Sequence, residues 1–595
     1  MPLQKLQFKP GINRETTSYT NEGGWFDCEK IRFRSGVPEK IGGWVKNSSK
    51  AFLGTCRALH TTTNGIVFAA TNGSSTITAT DDDHGAVAGD FVTLSGAASL
   101  GGLITAAVLN QEYQIATVPT ADTYTFTAKD TDGVTVTANS SDSGNGGSGV
   151  DGAYQLNVGL DSTVLGTGWG AGTWGRGTWD SATTLTNIAN IMRIWTHDNF
   201  GEDLIINIRD GGIYYWDTSA YSNAYDRAIA LSSVSGASSA PTIAKKVLVS
   251  DRDRHVIAFG CDPEDAVGTQ DPLLIRFSDQ ETAITWNSTA TNTAGSLRLG
   301  SGSEIMTAIE TRQQILVFTD VSLHAMQFLG PPFTYGINLI SENTTIMGPL
   351  AAKAVDDFVF WMGLEDFYVY DGRIQKLPCT VKSYVFNDFN LFQKEKVFAA
   401  LNSSFNEIWW FYPSADSDAI DRYVVYNYLE QTWYYGTMAR TAWMDRGIND
   451  NPIAAGADSY LYNHENGLDD GSTDPASAIT SYIESSQLDI GDGDSYVFVR
   501  RLIPDVTFDG SSSTAPSASF TLKTRNFPGG SYDNSDASTV TQSAKASTTT
   551  VEQFTNQVHV RLRGRSFALR VGSDGSEVKW RLGSPRVDIR TDGRR

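Results

Sequence analysis

The sequence predicts an all-β protein: a β-propeller body, a small β-domain inserted into it, and a C-terminal β-sandwich-like domain. Three observations predict this. Short aromatic and β-branched runs recur in pairs around turn residues. The pairs return at a near-constant interval. Gly is abundant (56 of 595 residues), whereas charged residues make up 19%, too few for a protein faced with helices, which draw on Lys, Glu and Arg. At 40% hydrophobic and 11% aromatic, the chain is not disordered, and its length implies several domains with ample core.

The clearest unit is Phe358-Val-Phe-Trp-Met, a Gly-Leu-Glu-Asp turn, then Phe367-Tyr-Val-Tyr. Similar hairpins begin at Ile66, Leu204, Val247, Ile315, Ile408 and Ile453. From Leu204 the starts are 43, 68, 43, 50 and 45 residues apart, close to the ~40–50 residues of a four-stranded blade. The interval of 68 holds an extra stretch over residues 278–302. A loose sandwich also produces hairpins at irregular intervals, and no WD40-type signature decides between the two.

Residues 1–71 read as an N-terminal segment with the first propeller strands. Ile66 and Leu204 are 138 residues apart. Within that interval, residues 72–160 are rich in Thr, Ala, Gly and Asp and carry strands at Asp90-Phe-Val-Thr-Leu, Glu112-Tyr-Gln-Ile and Thr123-Tyr-Thr-Phe-Thr. Removing those 89 residues leaves 49, one blade, so the segment reads as an insertion, which loop tips tolerate. Residues 161–474 are the remainder of the propeller, with one short helix expected over 180–196. Residues 475–595 are the C-terminal domain. Residues 479–490 and 496–508 read as long strands, 511–519 and 529–550 as Ser/Thr/Gly-rich loops, and 557–571 and 578–589 as strands alternating apolar residues with Arg.

The formal net charge is −21, unevenly placed. Residues 1–50 carry nine basic and five acidic groups and residues 556–595 ten and four, which leaves the other 505 residues at −31. Either this is solvated surface, or basic termini face an acidic partner while the middle repels polyanions. An acidic chain is a poor sequence-reading DNA binder.

No residue is assigned as catalytic, cofactor-binding or metal-ligating, and no cofactor is expected. Gly170-Ala-Gly-Thr-Trp-Gly175 matches GxGxxG, but Trp169, Trp174 and Trp179 recur among its glycines as in an aromatic-clasped loop, without the strand and helix a dinucleotide needs. Asp81-Asp-Asp-His84 and Asp489, Asp492 and Asp494 resemble metal clusters but lack the EF-hand Gly and distal Glu. Ser278-Asp-Gln-Glu-Thr-Ala-Ile-Thr-Trp286 resembles an Asp-box, a structural turn. There is no Walker A, HExxH or strand–GxSxG–helix motif. Cys28, Cys56, Cys261 and Cys379 have no CxxC spacing and read as free thiols of a reducing cytosol. The sequon at Asn47 then carries no meaning. The N-terminus has no apolar signal segment and no run is long enough to span a membrane, so a soluble protein is expected.

Several phrases resemble the tail nozzle proteins of short-tailed bacteriophages (tail tubular protein B-like, with the DNA-stabilisation proteins as relatives). They are Phe8-Lys-Pro-Gly-Ile-Asn13, Ile31-Arg-Phe-Arg-Ser-Gly-Val-Pro-Glu-Lys-Ile-Gly-Gly-Trp44, the Trp/Gly stretch 168–179, Arg193-Ile-Trp-Thr-His-Asp-Asn-Phe-Gly-Glu-Asp-Leu204, Ile213-Tyr-Tyr-Trp-Asp217, Arg500-Arg-Leu-Ile-Pro-Asp505 and Lys523-Thr-Arg-Asn-Phe-Pro-Gly529. The inserted segment also resembles a module of such proteins in Gly89-Asp-Phe-Val-Thr-Leu-Ser-Gly and Ile104-Thr-Ala-Ala-Val-Leu-Asn-Gln-Glu-Tyr-Gln-Ile. The resemblance implies a non-enzymatic virion protein assembled in the host cytoplasm. It implies a homohexameric tube below the portal and adaptor rings, bearing tail fibres or spikes. The tube retains double-stranded DNA and then passes it, without sequence-specific binding, to the host cell envelope at ejection. The family has no catalytic residues to carry over. The alternative is a carbohydrate-binding or glycan-active β-propeller, with Trp169, Trp174 and Trp179 stacking on sugar faces.

Overall fold

The computed structural model describes residues 3–47, 62–154 (apart from 65, 82, 83, 85, 87, 89, 121, 132 and 148), 164–165, 189–190, 192–219, 228–330, 333–489, 493–526 and 545–593. Only two short α-helices, Ala106–Leu109 and Lys382–Asn387, occur among them. The fold is all-β, as the sequence predicts. The chain divides into two compact units, residues 54–343 and residues 1–53 with 344–595.

The unit over 54–343 holds three four-stranded antiparallel sheets of blade topology. They are Trp195–Phe200, Asp203–Ile208, Ile213–Trp216 and Ile229–Ala230; then Lys246–Val249, Val256–Phe259, Leu274–Phe277 and Gly295–Arg298; then Ile305–Glu310, Ile315–Thr319, Leu323–Gly330 and Thr334–Ser341. Strands enclosed on both faces are the continuous apolar runs: Val256–Phe259 and Ile315–Thr319 are buried at every position. The hairpin read at Leu204 is the second and third strands of its blade, whereas the one at Val247 is the first and second. The one at Ile315 is again the second and third, so the step from Val247 gains a strand, and with the long 278–294 connection this produces the interval of 68.

The inserted domain also lies in this unit. One sheet has the order Glu112–Gln114, Phe91–Ser95, Asp151–Tyr154, Thr62–Asn64; the other Thr117–Thr120, Thr123–Thr127, Thr76–Thr80, Val67–Ala70, Asp142–Asn145. Ile66, Phe68, Ile77, Val92, Leu94, Tyr124 and Phe126 close one core drawn only from residues 66–154. The expected boundary at 71/72 is therefore misplaced. The Ile66 hairpin belongs to the insert, because its apolar side chains complete that core.

The other unit holds three more blades. They are Ala352–Val355, Phe358–Met362, Phe367–Tyr370 and Ile374–Lys376; then Phe398–Asn402, Glu407–Tyr412, Arg422–Asn427 and Thr432–Thr437; then Arg440–Met444, Ile453–Gly456 and Leu461–His464, completed by Trp44–Lys46. This N-terminal strand pairs antiparallel with Leu461–His464 and parallel with Asp470–Gly471.

Earlier N-terminal strands join the C-terminal domain rather than a blade, which corrects the reading of residues 1–71. Trp25–Glu29 pairs with Ser481–Ser485 in a sheet continuing through Ser566–Ser573, Ser517–Arg525 and Ala546–Glu552. Ile31–Arg34 and Val37–Lys40 share a sheet with Arg581–Leu582 and Val506–Thr507. Gln4–Lys5 borders a sheet of Arg586–Thr591, Val497–Ile503 and Val558–Gly564. The helix expected over 180–196 falls largely outside the described residues, and Trp195 and Thr196 are strand.

One polar cluster ties the N-terminal strands to the blades of this unit. Arg32, 1% exposed, donates to Glu407 from Nε (2.5 Å) and Nη2 (2.9 Å), and to Glu465 from Nη1 (3.0 Å) and Nη2 (2.6 Å). Tyr434 Oη and Trp409 Nε1 donate to Glu407 at 2.5 and 2.9 Å, and the Phe405 ring centre lies 3.5 Å from the guanidinium carbon. Burial alone would lower the Arg32 pKa, but the two carboxylates outweigh it and hold the cation well above its usual range. Arg32→Met would leave two buried carboxylates without a counter-charge. The expected loss is ~3–5 kcal/mol, read as a lowered midpoint of chemical denaturation.

Candidate functional site

The site with a distinct chemical character is a basic sheet face built from both ends of the chain. In Val558–Gly564 the apolar residues point inward, and His559, Arg561 and Arg563 are exposed. Register carries the face across the sheet. Arg563 and Arg590 flank Phe498, His559 and Asp588 flank Arg501, and Arg586 lies between Ile503 and Lys5. A bulge between Val499 and Arg501 adds exposed Arg500.

Seven cations (Lys5, Arg500, Arg501, Arg561, Arg563, Arg586 and Arg590) therefore meet two carboxylates. Asp588 lies 3.3 Å from Arg501 Nε and 3.9 Å from Arg590 Nε, and Asp592 2.5 Å from Arg563 Nε. Lys5, Arg500, Arg561 and Arg586 have no carboxylate at ion-pair distance among the described residues. Free guanidinium groups in a plane suit carboxylate or phosphate surfaces. The Arg alternation of 557–571 and 578–589 announced two strands of this face. The pairing of Lys5 with Arg586 was hidden because it joins segments far apart in sequence.

The motifs considered from sequence fall elsewhere. Asp81 and His84 lie in the insert core, where Tyr154 Oη donates to Asp81, His84 Nδ1 accepts from Ala86 N at 3.1 Å, and the His84 ring stacks on Tyr154. Asp82 and Asp83 lie outside the described residues, as do Asp492, Gly170–Gly175 with Trp169, Trp174 and Trp179, and Cys56. No group of three or more His, Cys, Asp or Glu is placed to hold a metal among the described residues. The 278–286 segment is a turn: Asp279 accepts from Thr293 N and Gln280 N at 2.8 and 3.0 Å, and Trp286 is buried beneath it. Cys28, Cys261 and Cys379 are unpaired, and burial pushes the Cys261 thiol up to about 12. Asn47 donates to Asn463 at 3.1 Å. Among the described residues no helix is long and apolar enough to cross a membrane.

No family model and no curated protein matches the chain. Solved structures that resemble it include Hsv2 of Kluyvelomyces marxianus (8% identity, 50% of this chain and 72% of that one, TM-score 0.26), phage phi92 endosialidase (10%, 65% and 52%, 0.16) and PorZ of Porphyromonas gingivalis (10%, 63% and 47%, 0.30).

Sequence also missed Glu310, at the end of the first strand of its blade, Ile305–Glu310. It accepts from Ser250 Oγ at 3.3 Å and Asp251 N at 3.4 Å. Burial first, then the nearby Asp251 and Asp198 charges, raise its pKa from 4.5 to about 7 against those hydrogen bonds. The folded form therefore binds a proton that the unfolded chain has lost between these values, and Glu310 lowers stability as pH rises from 4.5 to 7. In Glu310→Gln, denaturation midpoints recorded across that window should lose this downward slope.

Proposed function

We propose that the protein is the nozzle of a short phage tail: a homohexameric, non-enzymatic conduit that retains and then passes duplex DNA. The observation that carries the reading is the separation of charge. Lys5, Arg561, Arg563, Arg586 and Arg590 share one exposed sheet with Arg500 and Arg501, while residues 51–555, those last two included, hold −31. The basic sheet is suited to dock on an acidic surface of the portal–adaptor ring. An acidic wall elsewhere suits a conduit, because duplex DNA carries about one charge per 1.7 Å and a basic wall would bind it by counterion release. Screening confines the repulsion to about 8–10 Å from the wall. The resemblance of the sequence phrases supports the same assignment, including fibre or spike attachment, a virion location and opening at the host envelope.

Imaging of the purified protein, alone and with the adaptor protein of the same virus, tests the reading. Rings with a duplex-wide channel are expected. A particle that stays single in both samples, or that binds duplex DNA tightly at physiological salt, rejects it. Arg561→Glu with Arg586→Glu should abolish adaptor binding while leaving the unfolding temperature within about 2 °C, since exposed substitutions cost within about ±0.5 kcal/mol. In the unaltered protein, adaptor affinity should fall steadily with added salt.

A further inference from the structure

The second blade of the 54–343 unit holds a cleft of about 370 Å³ between its third and fourth strands and the loops at 263–265 and 286–288. Its size is that of a one-ring ligand, since small-molecule sites run from about 300 to 1,000 Å³. Leu274 and Trp286 line it with their apolar edges, Trp286 being 1% exposed, and the Trp286 indole N–H is already given to Ala283 O at 2.8 Å. Arg276, 3% exposed, forms the floor. Its Nη1 donates to Asp262 O at 3.2 Å, and its Nη2 to Ser239 O at 2.6 Å and Trp286 O at 3.4 Å.

All three partners are neutral carbonyls. No carboxylate lies at ion-pair distance from Arg276 among the described residues. The buried Asp262 carboxylate is engaged by other donors: it accepts from Thr242 N, Thr242 Oγ1, Ile243 N and Gly268 N at 2.7–3.3 Å. A buried guanidinium held in place without a counter-charge is costly unless an anion completes it. The mouth has the opposite demand. Glu264 and Asp265 are exposed and, when ionised, only accept hydrogen bonds, while Ser288 and Ser296 do both.

We propose that this cleft binds one sugar-acid residue. Its carboxylate meets Arg276, its ring lies against Leu274 and Trp286, and its hydroxyls donate to Glu264 and Asp265. A simple carboxylate lacks the donors the mouth requires, and a neutral sugar lacks the anion the floor requires. The proposal is independent of assembly into a tube.

Saturation-transfer NMR on the full chain with D-glucuronate tests it, with glucose and acetate as comparison probes. Glucuronate should bind about tenfold or more tighter than either, the range of one charge-assisted hydrogen bond. Ser296→Trp, at an exposed position on the rim, should abolish the signal while the circular dichroism spectrum is unchanged. No transfer to glucuronate, equal binding of glucose or acetate, or a signal that survives Ser296→Trp in the folded variant overturns the proposal.

Discussion

The unit formed by residues 1–53 and 344–595 depends on one buried guanidinium. Arg32 takes two carboxylates, Glu407 from the blade of residues 398–437 and Glu465 from just after Leu461–His464 in the next, and lies over Phe405. An ion so enclosed is tolerated only with its geometry and hydrogen bonds complete. Tyr434 and Trp409 occupy the remaining lone pairs of Glu407, and Gly42 N donates to Glu465 at 3.2 Å. The same strand, Ile31–Arg34, belongs to a sheet with C-terminal strands. Arg32 thus sets the position of the N-terminal segment relative to two blades. Ten residues on, Trp44–Lys46 arrives in register to finish the blade that begins at Arg440.

That finishing strand sits in a second polar arrangement. Arg440 Nε donates to His464 Nε2 at 2.9 Å, so His464 stays neutral. Burial, with Arg440 and Lys30 nearby, lowers its pKa well below the usual range. The rings of Trp44 and Trp443 enclose it at 5.4 and 4.7 Å. Polar specificity at the junctions and apolar runs within the strands divide the work of the fold: the runs make blades, and Arg32, Glu407 and His464 decide which segments meet.

This division explains what was legible in the sequence. Runs such as Phe358–Met362 and Glu407–Tyr412 announce buried strands because almost every residue is apolar or aromatic. Blade sheets followed from them. The insert was visible in composition, yet its edge was misread, because Ile66 and Phe68 look alike whether they face a blade or the insert core. Pairings such as Gln4↔Val587 and Trp25↔Ser485 leave no local trace. The basic face was half visible in the Arg alternation, while Arg276 and Glu310 carry meaning only through burial.

Because Gln4–Lys5 borders Arg586–Thr591, and Trp44–Lys46 completes a blade whose other strands begin at residue 440, these early strands wait on the ribosome for partners that emerge only with residues 461–464 and 586–591. Nascent chains fold domain by domain as they emerge, but here the sheet bearing the arginines is finished only once residues 586–591 have emerged. A chain cut short before those residues is thus denied the finished sheet, a form of proofreading built into strand order.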